Sequence, residues 1–206
     1  MHALTRPQLC LVTDPARSDL IQLVEKALAT GVTMLQLRGH TLPHERMYTL
    51  AIALRSLCRQ YQATFIVNGR VDIGLITDAD GFQLGTRGLP LTIVRQFVGK
   101  DYLLGASVHS QQEAHAAVAG GADFLLAGTI FASPSHPGGL TSGPQLISSL
   151  RCLVPDVPLL AIGGITSANA RQVMEAGADG IAVISAILDA ENVEHAVREL
   201  RTAIGF

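Results

Sequence analysis

Short apolar runs alternate with helical patterns along the whole chain. The runs fall at 9–13, 33–38, 64–68, 81–84, 102–107, 123–127, 157–162 and 180–184, each four to six residues long and rich in Val, Ile, Leu and Phe. Hydrophobicity that is continuous along a run predicts a parallel strand buried on both faces. The stretches between them carry helical periodicity near 19–30, 45–61, 70–77, 90–98, 111–120, 143–152, 167–176 and 192–204. Eight strands alternating with eight helices predict an α/β chain closed into one (β/α)8 barrel over 1–206. A doubly wound open sheet competes, but the first strand ends Val12-Thr13-Asp14-Pro15, without that fold's glycine fingerprint.

Turn residues support the same count. Thr30-Gly31, Asp78-Ala79-Asp80-Gly81, Gly120-Gly121-Ala122-Asp123 and Gly177-Ala178-Asp179 each close a helix and lead into a strand. Ser110 and Glu113 form a capping-box pattern, and Thr166 or Ser167 is expected to cap the seventh helix.

Composition narrows the function. A chain of 206 residues, 48% hydrophobic, can bury a large core. A net charge of −2 with no basic stripe argues against a nucleic-acid partner. No apolar run approaches the roughly 18 residues of a membrane span, and no signal peptide stands at the N-terminus, so a cytoplasmic protein is expected. Cys10, Cys58 and Cys152 form no pair motif and are each expected as buried, reduced thiols.

In such a barrel the site lies at the C-terminal ends of the strands. Side-chain alternation puts Gln36 and Arg38 on one side of the second strand, and polar residues in an apolar run point to the mouth. Asn68 ends the third strand and Gln83 lies within the fourth. Asp72 reads as a carboxylate stabilising a helix start. In the fifth strand Ser107 shares its direction with His109, which precedes a helix N-terminus that favours a neutral, proton-accepting imidazole. The long Ser-, Pro- and Gly-rich stretch 129–142 carries His136 and reads as a binding loop or lid. Gly163 and Gly164 after the seventh strand, with Ile184 and Ser185 after the eighth, read as a backbone-amide phosphate site. The seven histidines show no zinc-like pair except His40/His44, which Pro43 separates from a helix, so no metal site is expected.

These segments resemble the thiamine phosphate synthase/TenI family over nearly the whole chain. The resemblance is carried by Leu11–Asp14, Gly31–Arg38, Asn68–Asp72, Ala79–Gly85, Ser107–Ser110, Gly121–Asp123, Ala161–Ile165 and Gly177–Val183. It implies the (β/α)8 barrel, a thiazole phosphate ligand and a homodimer precedent. One branch joins a pyrimidine pyrophosphate to thiazole phosphate with Mg²⁺; the other, typified by TenI, is a thiazole tautomerase that moves a proton without metal. The synthase pattern Q-x-R-E-K reads Gln36-Leu-Arg-Gly-His40 here, Gly69 and Gly88 stand at its two metal-binding aspartates, and His136 stands near its loop lysine. These departures, with the Asn68–Asp72 and Ser107–Ser110 segments, lead to the expectation of a metal-independent tautomerase, an isomerase with no cofactor. His109 is its proton-transfer group, and Gln36, Arg38, Asn68, Ser107 and His136 surround the substrate. The alternatives are the synthase itself and a non-catalytic thiazole phosphate-binding regulator.

Overall fold

A computed structural model describes residues 4, 6–39, 41–86, 88–133 and 140–206. Eight parallel strands close on themselves in chain order: β1 (Gln8–Val12), β2 (Met34–Leu37), β3 (Thr64–Asn68), β4 (Gly81–Leu84), β5 (Leu103–Val108), β6 (Phe124–Ala127), β7 (Leu159–Ile162) and β8 (Gly180–Val183). β1 pairs with β8, Cys10 against Ala182, which removes both sheet edges. Around the barrel run α1 (Leu20–Ala29), α2 (His44–Gln60), α3 (Val71–Ile76), α4 (Leu91–Val98), α5 (Gln111–Ala119), α6 (Gly143–Leu153), α7 (Ala170–Glu175) and α9 (Val193–Ile204). A four-residue helix, α8 (Ser185–Leu188), follows β8 and had no periodicity long enough to announce it. No described helix is long and apolar enough to cross a membrane.

Strand alternation sorts the core into two layers. Leu9, Leu11, Leu35, Leu37, Phe65, Val67, Phe82 and Leu104 face outward and bury the inner faces of the helices. Cys10, Val12, Met34, Ile66, Phe124, Leu126 and Leu160 point inward and fill the barrel. A fully buried Leu or Phe contributes roughly 1.5–3 kcal/mol, so these two layers supply most of the driving force. Gly105 on β5 is an inward position kept small by its neighbours: a Cβ there would lie 2.2 Å from Phe124 and 2.3 Å from Gln83 Oε1.

The N-terminal end of the barrel is closed by a repeated clamp. Asp80 accepts from the Phe65 amide at 2.7 Å and from Arg55 at 2.9 Å. Asp123 accepts from the Leu104 amide at 2.8 Å and also holds Arg95. Asp179 accepts from the Leu159 amide at 2.9 Å and also holds Arg151. At the fourth quarter Thr33 Oγ1 takes the Leu9 amide at 3.0 Å, while Arg201 donates to the Gly31 carbonyl at 3.1 Å. Each carboxylate thus ties the start of one strand to the turn before the next, and an arginine from the helix that precedes the first of those strands neutralises it.

Of three local expectations, one holds and two change. Ser110 does cap α5, its side chain accepting from the Glu113 amide at 3.2 Å. Neither Thr166 nor Ser167 caps α7; the helix starts later, with Asn169 as N-cap, and Asn169 Oδ1 accepts from the Thr166 amide at 2.9 Å. Cys10 and Cys58 are buried as expected, but Cys152 is exposed because it lies on the outward face of the last turn of α6. Burial pushes the Cys58 thiol up to about 12 and that of Cys10 higher still.

Candidate active site

A cavity of about 570 Å³ opens at the C-terminal ends of the strands. Gln36, Arg38, Asn68, Ser107, His109, Gly163, Gly164, Ile184 and Ser185 all line it. His136 lies outside the described residues, as do His40 and positions 134–139 of the long loop. The closed barrel therefore brings nine expected positions, drawn from the ends of five strands and the turns after them, to one mouth.

One wall is built by β2 to β5. Asn68 Nδ2 donates to Gln36 Oε1 at 3.0 Å, across the register that pairs Gln36 with Ile66. Gln36 is 2% exposed, and its Nε2 has no partner among the described residues. Gln83 Nε2 donates to Ser107 Oγ at 3.0 Å. His109 follows β5; its Nδ1 faces the Gly128 carbonyl, so Nδ1 carries a hydrogen and Nε2 is left for other partners. The backbone amide of His109 donates to Glu113 at 2.6 Å, which fixes the main chain at 109 relative to α5.

Arg38 is held from its main chain. Thr13 Oγ1 accepts from the Arg38 amide at 2.9 Å and donates to the Arg38 carbonyl at 3.2 Å. Thr13 is 1% exposed and went unnoticed in the sequence, because nothing local to β1 shows that residue 38 lies alongside. Arg38 has no ion-pair partner among the described residues, whereas Arg17 is held by Asp19 and Asp189 and Arg70 by Asp72. Asp72 thus occupies the first turn of α3 in a structural role, and Arg70 holds its carboxyl down at about 2.

The opposite wall is formed by the ends of β7 and β8. Gly163 and Gly164 have φ of +105° and +62°. A Cβ on Gly164 would lie 2.2 Å from the Ala132 carbonyl oxygen, so the loop after β6 already requires a glycine there. That loop is pinned at its base: Ile130 N donates to Ile162 at 3.0 Å, Phe131 N to Gly163 at 2.9 Å, and Ser142 N to Thr129 at 2.9 Å. Thr86, Thr129 and Ser133 add hydroxyls to the lining. All three lie in turns whose course only the folded barrel defines.

The charge pattern of the mouth is one-sided. Arg38 and His109 are the titratable groups among the described lining residues. All 17 carboxylates of the chain fall within the described residues, and none lines the cavity. Gly69 and Gly88, where the resemblance would place metal-binding aspartates, both line it, with nothing within 4 Å of a Cβ added at Gly69. Among the described residues no three His, Cys, Asp or Glu side chains gather. The residues present do not form the carboxylate set that Mg²⁺ takes from a protein.

Residues 9–187 match the model of the family described as thiamine monophosphate synthase. The chain belongs to the thiamine monophosphate synthase family. Within that family it is similar to proteins named thiamine-phosphate synthase: 44% identical to one from Chlorobium limicola, over 94% of this chain and 92% of that protein. It is 39% identical to one from Pyrococcus furiosus, over 99% and 98%. The solved thiamine phosphate pyrophosphorylase from Pyrococcus furiosus superposes with a TM-score of 0.89 at 38% identity, covering 96% of this chain and 95% of that one. A 3-hexulose-6-phosphate synthase at 17% identity and a TM-score of 0.74 shares the fold alone.

These relatives overturn the expectation of a thiazole tautomerase and with it the isomerase assignment. That expectation set four positions, His40, Gly69, Gly88 and His136, against the synthase. Identity near 40% spread over about 200 aligned residues with proteins named synthases outweighs them. The proton-transfer role of His109 belonged to the tautomerase reaction and falls with it.

Proposed function

We propose that the chain is a thiamine-phosphate synthase, a transferase that joins a pyrimidine diphosphate to thiazole phosphate and displaces diphosphate. The observation that carries this reading is its identity of 39–44% to proteins of that name along nearly its full length. The mouth supports it chemically. Two anionic substrates meet a cavity whose described lining holds no carboxylate and presents Arg38 without a counter-ion. Thiazole phosphate is seated by its phosphate at the backbone of Gly163, Gly164, Ile184 and Ser185. The pyrimidine lies against Gln36, Asn68 and Ser107 on the facing wall. Arg38 and His109 Nε2 face the diphosphate as charge builds on it, while a fixed geometry lowers the entropic barrier to the displacement. No step is assigned to a protein-held cation, because the described residues do not supply its ligands.

The test is direct. Purified protein incubated with hydroxymethylpyrimidine diphosphate and thiazole phosphate should yield thiamine phosphate and diphosphate. Absence of product over a full range of Mg²⁺ concentrations would overturn the reading.

A further inference from the structure

We infer that Gln83 is a positioning residue: it sets Ser107 as a hydrogen-bond donor toward the substrate. The inference rests on the synthase reading and adds a residue that does not line the cavity. Gln83 is fully buried inside β4, opposite Gly105 on β5. A side chain at 105 would strike its Oε1, so the glycine leaves the space in which a long amide can turn toward the mouth. There its Nε2 donates to Ser107 Oγ at 3.0 Å.

A serine hydroxyl has one hydrogen to give. With its oxygen accepting from Gln83, that hydrogen is directed to another acceptor, and Ser107 is on the cavity wall. The neighbouring pair has the same polarity. Asn68 donates to Gln36 Oε1, and among the described residues the buried Gln36 Nε2 is left without a partner at the same mouth. The wall from β2 to β5 therefore offers two uncharged donors, a surface for an acceptor atom that carries no hydrogen, such as an aromatic ring nitrogen. Gln83 Oε1 is itself a buried acceptor without a partner among the described residues, a cost that the bond made by its other end must offset.

A double-mutant cycle separates positioning from packing. Gln83→Met, Ser107→Ala and the double variant are compared by KM and kcat for each substrate, with thermal midpoints recorded. Each single change should raise KM for one and the same substrate roughly tenfold, the worth of one lost hydrogen bond. kcat should stay within about twofold, and the double variant should be no worse than Ser107→Ala. Additive losses, losses spread over both substrates, or unchanged kinetics in Gln83→Met would each overturn the inference. If Gln83→Met does not fold, Gln83→Asn, too short to reach Ser107, carries the same test. Wild-type turnover tests the synthase reading separately; should it be absent, the same cycle is read from calorimetric affinities for the two substrates.

Discussion

The two ends of the barrel treat polar groups in opposite ways. At the N-terminal end, buried charge is matched: Arg151 donates to Asp179 and to the carbonyls of Gly177, Val154, Pro155 and Val157, and Arg95 does the same with Asp123, Gly121, Gly99 and Tyr102. At the C-terminal end Gln36 Nε2 has no partner and Arg38 no counter-ion among the described residues. Satisfied groups hold strands in register; unsatisfied ones are available to a ligand. The contrast is the usual division of labour in this fold, stability below and chemistry above. The lower end has one imperfect quarter. Arg55 holds Asp80 at 2.9 Å and lies 3.8 Å from Asp78, yet its Nε is buried without a partner among the described residues.

The largest effect is expected from Arg38→Ala. Removing this cation, which has no counter-ion among the described residues, should lower kcat/KM by roughly 10²–10³-fold, the scale of one electrostatic contact to developing charge. Because Thr13 holds only the backbone of residue 38, the thermal midpoint should stay within about 1–2 °C, a shift that calorimetry would detect. Equal loss of stability and activity would show that Arg38 is a structural residue like those below.

Gly164→Ala tests the boundary between the two roles. Its Cβ would meet the Ala132 carbonyl at 2.2 Å in a left-handed backbone, so a destabilisation of about 2–3 kcal/mol is expected, with weaker phosphate affinity. Denaturant melts and phosphate titrations read the two effects separately.

At the lower end, Arg151→Met should cost about 2–3 kcal/mol, since a partly buried carboxylate and several carbonyls lose a charged donor. Arg55→Met should cost about half as much, because its clamp is already incomplete. Turnover per folded molecule should change in neither. Equal costs would mean that the unpartnered Nε carries no penalty.

The smallest effect is set by Asp72. Arg70 lowers its folded-state pKa to about 2, so its stabilising contribution is present above the unfolded value near 4 and is lost as pH falls through 2. The pair is largely exposed, with 60% of the Asp72 side chain in solvent, so less than about 0.5 kcal/mol is at stake. Arg70→Ala should leave stability at pH 7 nearly unchanged and flatten its pH dependence between about 4 and 2.

Much of this molecule was legible in the chain. Each expected strand lies within two residues of an observed one, and β3 and β4 have the expected bounds. The strand-borne part of the mouth was legible from parity: Gln36 shares a direction with the inward Met34, and Ser107 with Gly105. The exposed thiol of Cys152 was missed because hydrophobic type does not say which turn of a helix faces solvent at its end. The choice of reaction was missed because four substitutions, at His40, Gly69, Gly88 and His136, were set against a full-length likeness.

What depends on neighbours one to four residues apart was readable in the chain: strand, helix and the face each strand side chain takes. Those follow from backbone periodicity, which operates within an element. Only the tertiary structure decided the pairings that cross elements: Thr13 with Arg38, 25 residues on; Asn68 with Gln36, 32 apart; Gln83 with Ser107, 24 apart; Arg151 with Asp179, 28 apart. Each separation spans one βα unit. Closing the barrel sets adjacent strands in a fixed register, and that register, which no local pattern encodes, decides which polar groups meet and which are left for a substrate.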